Sequence, residues 1–591
     1  MNINNRIKNL RMLMDKNKID VYIIPSSDFH QSEDVGEYFR CREYISGFTG
    51  SAGTVIVTKD KSFLWTDGRY FIQAENELQG TEIHLFKSGT ENTPTINEFL
   101  KENLNYGKTL GFDGRVVSYN EMVNFQKFLA GKNIKFITDI DLVGEIWKDR
   151  PNISNKKAFL LDLKYCGETF KSKITRVREI MQKENADIHI ISSLDDIAWL
   201  FNIRGRDIPC NPTVLSYAFI TDEKICLFID KNKLSDEINK NFKENEIEIK
   251  DYFSFYDELK KIDKNKKVMV DFSRINSEIY NSIPFSVTKI DRINPTTEFK
   301  SIKNEIEIKN TINAHIKDGV TFTKFMYWLK NNIGKIKITE MSASDKLENL
   351  RKEQKGFIEL SFDTISAYGA NAAMMHYSAN EKSNATLENK NLLLVDSGGQ
   401  YLEGTTDITR TIALGDISPE IRLHFTAVLK SMIALSKLKF IHGVKGYNLD
   451  AIARAPIWEL GLDYRCATGH GVGYLLNVHE GPNVFRLSAP FVMEENMITT
   501  IEPGIYIENS HGIRIENEVL SKTWIKNEYG QFMEFIPITF APIDLDAIDV
   551  NLLSNDEKNW LNSYHSTVFE KISPFLNESE KKWLKKYTRK I

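Results

Sequence analysis

The chain has 591 residues, 41% hydrophobic and 27% charged, and its 77 basic and 81 acidic side chains leave a formal net charge of −4. That length exceeds what one core can organise and predicts two to four domains, while the composition excludes a disordered or fibrous chain. So small a net charge provides no long-range pull toward nucleic acid or an anionic membrane, so neither is an expected partner.

The N-terminus, MNINNRIKNLRMLMDKNKID, carries charges throughout and has no apolar segment of the kind a signal peptide needs. Ile7, Leu10, Leu13 and Met14 share one helical face, and the helix leads into the strand-like VYIIP from Val21 to Pro25. Next, GFTGSAGTVIVTKDKSFLWTDGRYFIQA holds two β-rich runs around a polar turn and predicts a hairpin. The polar, proline-bearing WKDRPNISNKK at 147–157 reads as a linker that closes a first domain over 1–150. A second domain, 151–297, repeats the helix, strand and hairpin in VREIMQKENADIHIISSLDDIAWLFNIRG and SYAFITDEKICLFIDKNKL. A duplicated domain and a chance pairing of two ordinary α/β domains both fit this pattern. Beyond DRINPTTEFKSIKNEIEIK, Pro295 precedes a long helical pattern with Ile308, Ile312, Ile316 and Val320 at spacing four, which opens a third domain over 298–591.

Within that third domain, Ser418 and Pro419 are placed to cap and start a helix whose Ile421, Phe425, Val428, Leu429 and Met432 share a face. A C-terminal extension over about 550–591 shows two more amphipathic stripes, Trp560, Leu561, Tyr564 and Val568, then Trp583, Leu584 and Tyr587, of the kind that dock on their own core. The five cysteines, Cys41, Cys166, Cys210, Cys226 and Cys466, are odd in number and scattered, which argues for a reducing compartment over a disulfide framework. With no apolar run near the ~20 residues of a spanning helix, the expected location is the cytoplasm.

The chemistry-bearing residues gather in the third domain. In GHGVGYLLNVHEGP (469–482) His470 and His479 stand among glycines that would weaken a helix, so the segment reads as a shaped loop and short strand. In NLLLVDSGGQYLEGTTDITRTIALG one apolar strand ends at Asp396 and a second begins near Asp407, with turn residues between, so the two carboxylates can lie side by side. Glu502 ends a third strand and is followed by Pro503-Gly504. Arg514, Glu516 and Glu518 then alternate with Ile513, Ile515 and Asn517, a pattern that also suits a half-exposed strand with a solvated face. Asp396, Asp407, Glu502 and Glu516 together carry four negative charges, which two divalent cations would cancel. Oxygen-rich ligation with one imidazole, His470, favours Mn²⁺, with Fe²⁺, Co²⁺ or Zn²⁺ as other occupants, over thiolate-seeking sites. Two such ions can hold and acidify a hydroxide and polarise a carbonyl, which is peptide-hydrolysis chemistry.

DSGGQYLEGTTDITRT, GHGVGYLLNVHEGP and EPG followed by GIRIENE resemble the metal-binding blocks of the pita-bread metallopeptidases, specifically the three-domain Xaa-Pro aminopeptidases. SGFTGSAGTVIVT and LWTDGRYFIQA are similar to the family's first-domain signature, and GANAAMMHYSA to the stretch ahead of its first metal aspartate. The resemblance implies an α/β (α+β) chain, with two related creatinase-type N-terminal domains followed by a pita-bread catalytic domain. It implies two divalent metals per subunit, with Asp396 on one, Asp407 and Glu516 bridging, and His470 and Glu502 completing the other. It further implies His376 and His479 as catalytic donors on the substrate side with His470, Glu502 as proton carrier, and Arg69 as a first-domain residue reaching the substrate. The implied partners are peptides with proline second, whose N-terminal residue is released by the bridging hydroxide, and a second copy of the chain in a homodimer. Prolidase action on Xaa-Pro dipeptides, or a metal-free binding role on the same fold, are the alternatives. The chain departs from the family at Cys466, where relatives often have histidine. A thiol there cannot shuttle protons near neutrality unless its pKa falls well below about 8.5, so a small buried hydrophobe is the expectation.

Overall fold

The structure, a computed structural model, describes residues 2–591, which divide into two compact units, one of 2–161 with 168–296 and one of 162–167 with 297–591. The first unit begins with the amphipathic helix Ile3–Lys16, which buries Ile7, Leu10 and Met14 and is capped by the Asn2 side chain on the Asn5 N–H at 2.9 Å. It runs into the fully buried strand Val21–Pro25, and the hairpin Thr54–Thr58 with Ser62–Thr66 pairs antiparallel beside it. These strands belong to a six-stranded sheet in the order Ile83–Lys87, Ser62–Thr66, Thr54–Thr58, Val21–Pro25, Thr109–Gly111, Lys135–Ile137.

A second six-stranded sheet in the same unit runs Ile247–Lys250, Ile225–Ile229, Ser216–Thr221, Ile188–Ile191, Lys267–Val270, Thr288–Asp291. Strand for strand, the order and the mixture of directions match the first sheet: two antiparallel pairings at the hairpin and parallel pairings outside it. The helix, strand and hairpin theme read twice in the sequence is therefore one topology built twice.

The second unit is organised by the 28-residue helix Glu305–Asn332, whose start is fixed by Asn304 Oδ1 accepting from the Ile306 and Glu307 N–H groups while Glu307 Oε2 accepts from the Asn304 N–H. Ile308 and Val320 of the spacing-four stripe are buried, and Ile312 and Ile316 pack beside them. A three-stranded sheet, Ile365–Tyr368, Leu392–Ser397 and Ile408–Ala413, carries the first acidic block. A six-stranded sheet, in the order Lys439–Ile441, Gly530–Pro537, Asn517–Asn527, Ile498–Ile501, Gly469–Gly471, Glu480–Phe485, carries the rest. Helix Pro419–Ser436 starts as its sequence predicts, Ser418 Oγ accepting from Ile421 N at 3.2 Å, and its Phe425, Val428, Leu429 and Met432 enter the core behind the sheet. Helices Asn555–Ile572 and Glu578–Tyr587 bury Leu561, Tyr564, Val568 and Leu584 in that same core. The short helix Leu163–Cys166 also belongs to this unit, held by Asn304 Nδ2 on the Cys166 carbonyl at 2.9 Å and Asn310 Nδ2 on the Lys164 carbonyl at 3.0 Å. Nothing in its sequence marks that excursion, because two side-chain amides from a distant helix make it.

Candidate metal centre

Leu392–Ser397 pairs antiparallel with Ile408–Ala413, Asp396 opposite Thr409, so that Asp407, just ahead of the second strand, lies near Asp396. The small sheet of Phe357–Leu360, Gly399–Tyr401 and Gly404–Thr405 folds the intervening chain. Glu502 follows strand Ile498–Ile501, and its N–H bonds the Thr468 carbonyl at 2.7 Å, which ties it to the strand of His470. Gly469 and Gly471 allow this, because a Cβ on either would lie 1.8 Å from the Thr500 carbonyl oxygen or 2.2 Å from that of Glu480. Glu516 sits at the break between strands His511–Arg514 and Asn517–Asn527, its N–H on the Thr409 carbonyl at 3.1 Å. Five side chains from four separate stretches thus converge. One oxygen or nitrogen each of Asp407, His470 and Glu516 lie within 4.8 Å of one another, and His470 Nε2 is 3.4 Å from Asp407 Oδ2 and 3.3 Å from Glu502 Oε1.

The stretch 513–518, expected as one strand, is the end of one strand and the start of another in a different sheet, and it presents no solvated face. Arg514, Glu516 and Glu518 are 3%, 1% and 0% exposed, so the charges point inward and need partners. Arg514 Nη2 binds Asp396 Oδ2 at 2.5 Å, its Nε binds Thr409 Oγ at 3.1 Å, and its Nη1 binds the Tyr506 hydroxyl at 2.7 Å. Thr409 Oγ donates to Glu516 Oε2 at 2.9 Å, and Glu518 Oε1 accepts the Asp407 N–H at 2.8 Å while its other oxygen lies 3.0 Å from His315 Nε2. The alternation of Arg514 with Glu516 and Glu518 was visible in the sequence, but Tyr506, Thr409 and His315 gave no signal, being positioned by other strands and by the long helix.

The residues fit divalent cations. Asp396 Oδ1 and Glu516 Oε1 are buried with no hydrogen-bond partner, so each has a lone pair for a cation. His470 Nδ1 lies 2.9 Å from the Gly471 carbonyl, which fixes the proton there and leaves Nε2, facing Asp407 and Glu502, as a donor to a metal. Burial, together with neighbouring Asp407 and Glu502, pushes the Asp396 carboxyl up to about 6 against the pull of Arg514. Burial likewise raises Glu502, and raises Glu516 well above the carboxylate range, Asp407 adding to both. Burial and His479 act to lower His470, yet Asp407 and Glu502 outweigh them and raise it. Burial and mutual repulsion thus work against negative charge on these carboxylates, which bound cations would relieve.

His479 stands edge-on against His470, ring centroids 4.3 Å apart. His376 follows the turn Gly369–Ala373, and the carbonyl of its neighbour Met375 lies 3.5 Å from Arg514 Nη2, on the Asp396 side of the cluster. That turn reaches the site because Gly512 lacks a side chain: a Cβ there would lie 1.7 Å from the Ala372 carbonyl oxygen. Cys466 is half-buried and packs against the core, its carbonyl accepting from Arg454 Nη2 at 2.8 Å. Arg69 belongs to the first unit, where it forms a two-pronged ion pair with Asp67, Nε to Oδ1 at 2.9 Å and Nη2 to Oδ2 at 2.8 Å.

Comparison with known proteins matches the metallopeptidase family M24 at residues 309–523 and the C-terminal region of that peptidase at 531–591. Two Creatinase/Prolidase N-terminal domain profiles match at 6–146 and 149–307. The Xaa-Pro aminopeptidase 1 of Dictyostelium discoideum is 40% identical over 605 residues, covering 99% of this chain and 96% of that protein. The Aminopeptidase P2 of Arabidopsis thaliana is 38% identical, covering 97% of this chain and 86% of that protein. Among solved structures, the X-prolyl aminopeptidase of Caenorhabditis elegans, a cytosolic enzyme with a di-nuclear active site, superposes with a TM-score of 0.96 at 33% identity over the full length of both chains. The prolidase of Pyrococcus horikoshii, at 26% identity and a TM-score of 0.50, covers 63% of this chain.

Proposed function

The chain belongs to metallopeptidase family M24 and is a metal-dependent aminopeptidase, and from that premise we propose that it releases the N-terminal residue from peptides whose second residue is proline. The observation that carries this reading is the gathering of Asp407, His470 and Glu516 within 4.8 Å of one another, with Glu502 against His470, Asp396 in electrostatic reach of Asp407 and Glu502, and Asp396 Oδ1 and Glu516 Oε1 unpartnered. These five would hold two divalent ions, Mn²⁺ by preference, Asp407 and Glu516 serving both. When bound, the ions polarise the scissile carbonyl and acidify a water molecule.

The remaining steps fall to the chain's own side chains. His479, held against His470, and His376, next in the chain to the Met375 whose carbonyl Arg514 binds, donate N–H bonds to the carbonyl oxygen as negative charge grows on it. Glu502 accepts the proton of the attacking water at a carboxylate oxygen and delivers it to the departing proline nitrogen. That nitrogen leaves a tertiary amide with no hydrogen of its own, so specificity rests on ring shape. Arg514, by neutralising Asp396 on one side, keeps that carboxylate turned toward the cations.

The test strips the purified protein with chelator, restores Mn²⁺, and compares an Xaa-Pro-Pro tripeptide, its Xaa-Ala-Pro counterpart and an Xaa-Pro dipeptide. Cleavage of the first alone is the expected result. Cleavage of the dipeptide alone would make the protein a prolidase, and no turnover of any of them with metals bound would leave a binding role. A cytoplasmic location, supported by the cytosolic relative, and a homodimer complete the reading, and sedimentation of the purified protein at twice the 68.1 kDa chain mass checks the assembly.

A further inference from the structure

Glu340 is the first residue of helix Glu340–Lys352 and is 0% exposed, yet its carboxylate makes no bond within its own helix. Every hydrogen bond it accepts comes from one segment, 368–385. Oε1 accepts from the Tyr368 N–H at 2.7 Å and from Asn371 Nδ2 at 3.0 Å. Oε2 accepts from the Tyr377 hydroxyl and the Ala385 N–H, both at 2.8 Å, with Asn371 Nδ2 at 3.2 Å. The Glu340 N–H returns a bond to the Ala385 carbonyl at 3.1 Å, and Leu387 N–H bonds the Ile338 carbonyl at 2.8 Å, so the far end of the segment is laced to the helix start. Tyr377 OH lies equally close, 2.8 Å, to the Ser383 carbonyl, and burial with the adjacent Glu340 raises its pKa, so it remains a donor.

This segment carries His376, whose neighbours on both sides are thereby fixed: Tyr377 by Glu340, and Met375 by Arg514, which also binds Asp396. A buried carboxylate with all its bonds directed at one irregular stretch is a costly arrangement unless the stretch must hold one geometry. We propose that Glu340 is a positioning residue for the reaction, clamping the 368–385 segment so that the His376 imidazole meets the scissile carbonyl. The inference rests on the reading of His376 as a substrate-side donor.

Glu340→Gln keeps the volume but replaces an acceptor by an amide NH₂ that faces N–H donors on either side. Four proteins, each reconstituted with Mn²⁺, are assayed on an Xaa-Pro-Pro tripeptide: the natural chain, E340Q, H376A and the double variant. The expected result is a kcat for E340Q at least about tenfold lower with KM changed less than about threefold, because small misplacement of a reacting group acts on the chemical step. Metal content per subunit stays at the natural value, and in the H376A background E340Q costs less than about twofold, the non-additivity of residues that act as a unit. An inactive H376A beside a fully active E340Q, or the same E340Q penalty with and without His376, overturns the proposal alone. A fully active H376A overturns the role of His376 and the proposal with it. Should E340Q not fold, Tyr377→Phe, which keeps the carboxylate and removes one donor, gives the same comparison: a fall in kcat of about threefold that vanishes in H376A, or else refutation.

Discussion

At the scale of single residues, the centre is a balance between burial and charge that only cations complete. Glu516 is 1% exposed and raised well above the carboxylate range by burial, with Asp407, Glu502 and Asp396 adding to the effect. Replacing Glu502 or Glu516 by alanine should therefore abolish metal retention and turnover together, read by elemental analysis and peptide release on the same samples. Arg514→Lys keeps a positive charge but cannot bind Asp396, Thr409 and Tyr506 at once. A loss of about 10- to 100-fold in activity or metal affinity is expected, the range for partners behind a ligand. Burial pushes His189 down to about 4 and His565 down to about 3. Both stay neutral in the folded chain while the unfolded chain takes up a proton near pH 6.5, so their contribution is present above that value and is lost as pH falls toward 4. Each adds a slope of about 1.4 kcal/mol per pH unit. Urea midpoints at pH 7 and pH 5 should differ accordingly, and His565→Gln should narrow the difference; an equal gap in the variant would contradict this account. The candidate ligands were conspicuous in sequence as acids among strand and turn residues, and the resemblance of their blocks to the family's gave each its expected role. Glu340 was not, since a glutamate opening a helix looks the same whether solvated or clamped to a distant loop.

At the scale of elements, the strands that bear the acids are held from behind. Arg410, 1% exposed, reaches the Ala541 carbonyl at 2.9 Å, Asn517 Oδ1 at 2.8 Å and the Tyr564 hydroxyl at 2.8 Å, and it also binds the Glu516 carbonyl. Tyr564 comes from the C-terminal helix Asn555–Ile572, so that extension is part of the frame of the metal centre. Leu561→Ala, at a 0% exposed position, should cost about 2–5 kcal/mol. Tyr564→Phe should cost about 1 kcal/mol, because Arg410 keeps its other partners. Denaturant titration of each variant checks both values. Alternation along 513–518 suggested one two-faced strand with a face toward solvent, whereas the chain breaks there into two strands of different sheets and is buried on both sides. Pairing decides it: Arg514 lies opposite Gly504 in the two-stranded sheet, Glu518 opposite Thr500, and the charged side is enclosed. Register is a property of partners, and one strand's sequence does not contain them.

At the scale of the molecule, the two units each close their own apolar cores, and among the described residues the second alone gathers a cluster able to hold a metal ion. Removing the ions returns like charges to close quarters in that unit alone. Calorimetry with and without chelator should therefore show a transition that shifts downward on metal removal and is restored by Mn²⁺, alongside one that does not move. A chelator that shifted the whole profile equally would contradict this separation. The sequence by itself determined the elements and their chemistry: the capped helices, the hairpin read twice, and the acids and histidines that name the reaction class. Those follow from local rules, in which spacing, turn residues and capping side chains act within a few positions. Only the tertiary structure decided that the two N-terminal sheets share one topology, that 162–167 joins the second unit, that Arg514 links Asp396 to Tyr506, and that Glu340 grips the segment of His376. Each of these depends on atoms far apart along the chain meeting at hydrogen-bond distance, which burial enforces and local sequence does not encode.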